Sequence, residues 1–241
     1  MSSPSSDQLQ PMPDDWERAL VVVAHPDDIE FGAAGAIAAW TAAGKKVSYL
    51  LLTRGEAGID GVEPAEAALV REQEQRTSAA IVGVTDVEFL DYTDGVVEYG
   101  LLLRRDITEA VRRHRPDVVV GFNHHEFTIS GKWNSPDHRN AGVALIDAVG
   151  DAGNRWVFAD LGLEPWQVRY VAIAQSPHPT HAVDITDTLE AGIASLEAHA
   201  SYLSGMNPPI TDVRGPMTGF ANHVGARFGG RPAIALELFQ R

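Results

Sequence analysis

The sequence predicts an α/β domain built on a mostly parallel sheet flanked by helices. Its first apolar run, Leu20 to Ala24, is continuous, as in a strand buried on both faces. Such runs then alternate with longer segments of helical composition along most of the chain. Polar, chemistry-bearing residues collect just after the runs, where open α/β sheets bind their ligands.

The elements follow in order. Pro26 ends the first strand, and Ile29 to Ala43 reads as a helix closed by Gly44. Val47 to Thr53 is the second strand. Pro64 to Val82 is a helix closed by Gly83, and Val87 to Leu90 is a short strand. Leu101 to His114 is a helix, and Pro116 precedes a strand over Asp117 to Gly121. The polar stretch Phe122 to Asn134, with His124, His125 and Glu126, should lie at the carboxyl edge of the sheet. A helix over Asp137 to Val149 follows, then a long segment, Gly150 to Gln167, read as an insertion over one side of the site. Val171 to Ala174 is a strand leading into the irregular stretch SPHPTHAVDIT. Thr186 or Asp187 can cap a helix running through Ser201. Residues 205–231, rich in Gly and Pro, read as a surface excursion, and PAIALELF as the last strand.

The bounds on function are firm in places. The chain has 241 residues, a hydrophobic fraction of 44% and no repeat or dividing linker. That suits one domain over 18–241, preceded by a polar, Ser- and Pro-rich segment over 1–17 read as a mobile tail. There is no cysteine, so disulfides, thiolate nucleophiles and Cys-bound metals are excluded, and any metal must sit on His, Asp, Glu or water. A net charge of -14 argues against a general nucleic-acid surface. No apolar run suggests a membrane span or a signal peptide, and a cytoplasmic location is the expectation.

The chemistry concentrates in AHPDDIE, Ala24 to Glu30, where one histidine and two adjacent carboxylates follow a buried strand. Carboxylates there carry a desolvation cost unless paired or metal-bound. Helix capping by Asp27 or Asp28 alone would leave His25 and the second carboxylate unexplained. The second signal is SPDHRNAG, Ser135 to Gly142, with His138 in the first turn of its helix. An imidazole there can meet His25 and Asp28 across neighbouring strand ends. Two histidines and one carboxylate form a catalytic zinc set with a position open to water. The FGAAG run at 31–35 is not the spaced glycine fingerprint of a dinucleotide site.

With AHPDDIE, PDHR, TRGEAG at 53–58 and REQE at 71–74, the chain resembles the LmbE-like family of N-acetylglucosaminyl-phosphatidylinositol and mycothiol-pathway deacetylases over roughly residues 18–200. The resemblance implies a Rossmann-like deacetylase fold and one catalytic Zn2+ held by His25, Asp28 and His138. It implies Asp27 as general base. The expected reaction is hydrolysis of an N-acyl amide, an N-acetyl group first of all, on an amino sugar or related small conjugate. A non-sugar N-acylated molecule, or carbohydrate binding without hydrolysis, are the alternatives. Arg71 resembles a family arginine that contacts the polar part of the substrate, with Glu74 on the same helix face. Asp94 stands where the family often has a carboxylate that can bind sugar hydroxyls. Arg54 lies just after a strand and faces the same region. Asp137 can orient a histidine or cap its helix. A homo-oligomer is the family-like expectation.

The sequence departs from the family at one point. Many members read His-Pro-Asp-His, and this chain reads Ser135-Pro-Asp-His. Serine cannot titrate near neutral pH as imidazole does. His181 is the favoured replacement as proton donor, with His178, His124 or His125 as other candidates. Alternatively Asp27 acts as base and then as acid.

Overall fold

The computed structural model describes residues 8–241. Strands β1 (Gln10–Pro11) and β2 (Arg18–Val23) are followed by helices α1 (Asp28–Gly32) and α2 (Ala34–Ala42). Then come β3 (Lys46–Leu51), α3 (Pro64–Ile81), β4 (Asp86–Phe89), α4 (Leu101–His114), β5 (Val118–Phe122) and α5 (Pro136–Ala152). A 3-10 turn at Ala159–Leu161 precedes β6 (Tyr170–Ala174) and β7 (His181–Asp184). The chain closes with α6 (Leu189–Glu197), α7 (Ala200–Gly205), α8 (Arg214–Gly225) and β8 (Ala233–Gln240).

The strands form one sheet in the order β1-β7-β8-β6-β5-β2-β3-β4. All described pairings are parallel except those of β8, which runs antiparallel between β6 and β7. Alternate residues of β2 face opposite layers. Val21 and Val23 pack with Ile29, Ile37 and Trp40 on one side. Leu20 and Val22 pack with Ile107 and Leu145 of α4 and α5 on the other. This period-2 split inside a wholly apolar strand is what burial on both faces requires. Among the described residues no helix is long and apolar enough to cross a membrane.

Several expected boundaries shift. The helix expected over Ile29 to Ala43 is two helices, because Ala33 leaves helical geometry (φ -145°). The small residues on either side permit two close approaches: a Cβ on Gly32 would crowd Ala174 and Phe122, and one on Gly35 would crowd Ile185. The FGAAG run is therefore a packing device. The helix expected through Ser201 also breaks, at the buried His199, which heads α7. Residues 205–231 are not merely an excursion. They contain α8, whose Pro216 lies in the first turn, where no backbone donor is needed, and whose Ala221 and Val224 are buried. The stretch SPHPTHAVDIT contains β7.

Part of the tail expected over 1–17 lies outside the described residues. Its described part is docked: Gln10 and Pro11 pair with β7, Leu9 and Trp16 are buried, and Asp15 bonds Arg169 and Tyr170. The 150–167 segment does not cover the site. It packs at the opposite edge of the sheet, where Trp166 donates to the Pro116 carbonyl and Arg112 donates to the carbonyls of Asn154, Val157 and Phe158.

Candidate metal centre

The two signal motifs meet at the carboxyl edge of β2 and β5. The chain leaves β2 through His25 and Pro26, and Asp27 adopts a left-handed conformation (φ 85°). That turn aims Asp27 and Asp28 in different directions. Asp27 stands at the N-cap of α1 but its side chain makes no capping bond. Asp28, the first residue of α1, accepts the His25 amide at Oδ2 (2.9 Å) and lies 2.9 Å from His138 Nε2 at Oδ1. His25 Nδ1 is 3.6 Å from Asp28 Oδ2. One ligand atom from each of His25, Asp28 and His138 falls within 4.8 Å of the other two.

The far side of each ring is fixed. His25 Nε2 is 3.0 Å from Asp94 Oδ1 and 3.2 Å from Asp137 Oδ2. Asp137 is fully buried and accepts from the Gly95 and Val97 amides, so its carboxylate ties the 94–97 loop to α5. His138 Nδ1 is 3.1 Å from Asn134 Oδ1. Both imidazoles therefore present their remaining nitrogen toward Asp28, as metal-bound histidines anchored from behind do. The donor set is two nitrogens and one carboxylate, buried and convergent, and it fits a divalent transition metal. Burial opposes the charged form of His25, yet hydrogen bonds to Asp137, Asp28 and Asp94 carry its pKa well above the usual imidazole range. Burial would likewise raise Asp28, but His138 and His25 hold it far below the carboxylate range. A metal replaces those protons.

Asp27 sits beside the set and outside it. Its Oδ2 accepts from Arg71 Nη2 (2.9 Å), and its amide donates to Gln75 (3.1 Å). Burial raises its pKa to about 6, against the pull of Arg71. Arg71 is itself buried. It donates to the carbonyls of Gly55 (2.8 Å) and Pro26 (2.6 Å), and its guanidinium lies 4.0 Å from the Tyr202 ring centre. A Cβ on Gly55 or Gly58 would overlap that guanidinium, which is why TRGEAG and REQE occur together. Behind them Gln75 and Ser78 donate to the buried carboxylate of Glu30. A cleft of about 550 Å³ opens over His25, Asp27, Asp28 and His138, walled by Arg71, Asp94, Gln175 and Tyr202.

Comparison with known proteins now bears on this geometry. The profile of the PIG-L family, described as GlcNAc-PI de-N-acetylase, matches residues 20–149, more than half of the chain. The chain belongs to the PIG-L family. It is 35% identical over 199 residues to the diacetylchitobiose deacetylase of Thermococcus kodakarensis, covering 78% of this chain and 70% of that one. It is 31% identical over 182 residues to a 1D-myo-inositol 2-acetamido-2-deoxy-alpha-D-glucopyranoside deacetylase of Streptomyces scabiei, covering 64% of this chain and 54% of that one. The structure of N,N'-diacetylchitobiose deacetylase from Pyrococcus horikoshii superposes with a TM-score of 0.85 at 26% identity, over 94% of this chain and 85% of that one. GalB, a 4-carboxy-2-hydroxymuconate hydratase from Pseudomonas putida, has a TM-score of 0.75 at 22% identity, over 93% of this chain and 97% of that one, a likeness of fold alone.

Not every residue expected at the site reaches the cleft. His25, Asp27, Asp28, His138, Arg71 and Asp94 line it, and Asp137 supports it from behind. Arg71 binds Asp27, and Asp94 binds His25. His181 does not line the cleft: it lies on β7, two strands from β6, with Nδ1 on the Thr180 hydroxyl. Glu74 caps α7, accepting from the Ser201 and Tyr202 amides. Arg54 is spent on Glu72 and Asp91. Ser135, where the PIG-L pattern often has histidine, is the N-cap of α5, its Oγ accepting from the Asp137 amide (3.2 Å). Sequence reading missed Tyr202, Gln175 and Asn134. Tyr202 and Gln175 come from segments with no spacing signal, and Asn134 looked like ordinary loop.

Proposed function

We propose that this PIG-L chain is a Zn2+-dependent N-deacylase acting on the N-acetyl group of an amino sugar or a small conjugate of one. The observation that carries the reading is Asp27: a buried carboxylate beside the His25–Asp28–His138 set, held on Arg71, and facing the same cleft. A divalent metal bound by those three residues supplies an acidified water and a Lewis acid for the amide carbonyl. Asp27 is placed to take the proton of the attacking water, and burial, which raises its pKa against the pull of Arg71, makes it more basic than a free carboxylate. Burial pushes the Tyr202 phenol up, so it stays protonated, a neutral donor for the oxygen on which charge develops.

Among the described residues that line the cleft, the imidazoles are His25 and His138. Neither is free to serve as an acid once it holds a metal. We therefore assign the proton for the leaving amine to Asp27, which receives it from water in the first half of the reaction and returns it to nitrogen in the second. The amino-sugar part rests on the substrates named for the Thermococcus and Streptomyces relatives. Arg71 and Asp94 at the cleft wall are polar groups suited to hydroxyls, although both already have partners.

A deacylation screen with zinc-loaded protein tests this, with detection of new primary amines. The panel holds N-acetylglucosamine, diacetylchitobiose, an inositol glycoside of N-acetylglucosamine and simple N-acetyl amino acids. Release of amine from the sugars and not from the amino acids is expected. Turnover confined to the amino acids would overturn the sugar assignment. Loss of no acyl group from any compound by metal-loaded protein would overturn deacylation.

A further inference from the structure

A second cluster of metal-binding side chains stands at the same sheet edge and shares no residue with the first. β5 delivers His124 and His125 just past its end, and β6 delivers Ser176 and His178. The reversed strand β8 brings Glu237 up beside them, in register with Ile173 of β6. His125 Nε2 is 2.8 Å from Glu237 Oε2, and the Ser176 hydroxyl donates to the same oxygen at 2.6 Å. The rings of His124 and His125 lie 4.1 Å apart, and His178 stands edge-on to His125 at 4.9 Å. Ligand atoms of His124, His125 and Glu237 all fall within 4.8 Å of one another.

A hydrogen-bonded His125–Glu237–Ser176 group would need only one imidazole. It gives no role to His124, whose Nδ1 is buried without a hydrogen-bond partner. An unpaired buried polar atom is costly unless something occupies it. Two imidazoles at this spacing also repel each other when protonated. Two imidazoles and a carboxylate converging at this spacing make a nitrogen-rich set that favours a borderline transition ion over Ca2+ or Mg2+.

We propose that His124, His125 and Glu237 form a second site for a divalent transition metal. The ion joins the loop that leaves β5 to β8. Its effect is transmitted to the first centre by one side chain. Asn134 Nδ2 donates to the carbonyls of Asn123 (2.7 Å) and His125 (3.0 Å), while Asn134 Oδ1 faces His138 Nδ1. Fixing the 123–125 loop thus fixes the residue that orients His138. Because binding free energies couple reciprocally, each ion should tighten the other.

Equilibrium dialysis against Zn2+ followed by metal analysis, with Co2+ absorption as a second readout, tests the site without reference to activity. The double variant H25A/H138A removes the first centre and should retain about one zinc equivalent. Adding E237Q should abolish it. H124N, which leaves the His125–Glu237–Ser176 bonds in place, should weaken that remaining affinity by roughly 10–100-fold while circular dichroism stays native. An H25A/H138A protein that binds no zinc, or one whose zinc is unaffected by both H124N and E237Q, would overturn the proposal. Neither result depends on whether the chain is a deacylase.

Discussion

Replacing Arg71 by methionine keeps most of the buried stem and removes the guanidinium, and the structure sets the size of the effect. Three acceptors lose their donor: Asp27 Oδ2, the Pro26 carbonyl and the Gly55 carbonyl. The charged part is limited, because Asp27 can escape by taking up a proton. With its pKa at about 6, protonating it at pH 7 costs about 1.4 kcal/mol. The two buried carbonyls add roughly 1–2 kcal/mol each. The total is about 3–5 kcal/mol, in the range measured when one partner of a buried pair is removed. The folded pKa of Asp27 is raised, so this group costs stability as pH rises from its unfolded value of 3.8 to about 6. Without Arg71 the folded pKa climbs further, and the loss continues past 6. The gap between native protein and R71M should therefore widen from pH 5 to pH 7 by up to about 1.4 kcal/mol. Urea unfolding of the metal-free proteins at both pH values measures it. A deficit under about 1 kcal/mol at pH 7, or a gap that does not narrow at pH 5, would refute the reasoning.

Three further outcomes are expected. D27N should keep its metal, since Asp27 is outside the ligand set, and lose about 10²–10⁴-fold in turnover, read by paired metal analysis and steady-state kinetics. N134A frees the far side of His138 and should weaken zinc binding by roughly 10–100-fold in a competition titration with a chromophoric chelator, with the fold intact by circular dichroism. G55A places a side chain at φ 64° on the Arg71 guanidinium and should cost more than about 1 kcal/mol in urea midpoint and lower kcat as Arg71 is displaced from Asp27; an unchanged kcat would separate Arg71 from catalysis.

The sheet and the convergence of His25, Asp28 and His138 were legible because both rest on local chemistry. A strand such as Leu20 to Ala24 declares two-sided burial by its composition alone. His25 and Asp28 declare themselves because buried carboxylates beside a histidine have few inexpensive explanations. What stayed hidden depends on distance in the chain. Tyr202 reaches Arg71 only because the chain breaks between α6 and α7, at Ala198 and His199, and Glu74 catches the start of α7 from another helix. His181 sits in a stretch that looked like a site loop, and pairing with β8 and β1 turns it into a strand position away from the cleft. Helix α8 was masked by its own glycines and proline, since its stability comes from packing on β8, whereas composition reports only propensity.

The reversed strand β8 has a consequence for how the molecule is made. It is inserted between β6 and β7, so the sheet stays in two pieces until residues 233–240 exist. During synthesis the β4-β3-β2-β5-β6 block can assemble, but β6 then offers a bare edge, and β7 with β1 has nothing to join. Open edges of apolar strands invite pairing between molecules. Nascent or C-terminally trimmed chains should accordingly accumulate as aggregates, while intact chains lock both blocks in a single late step of high contact order.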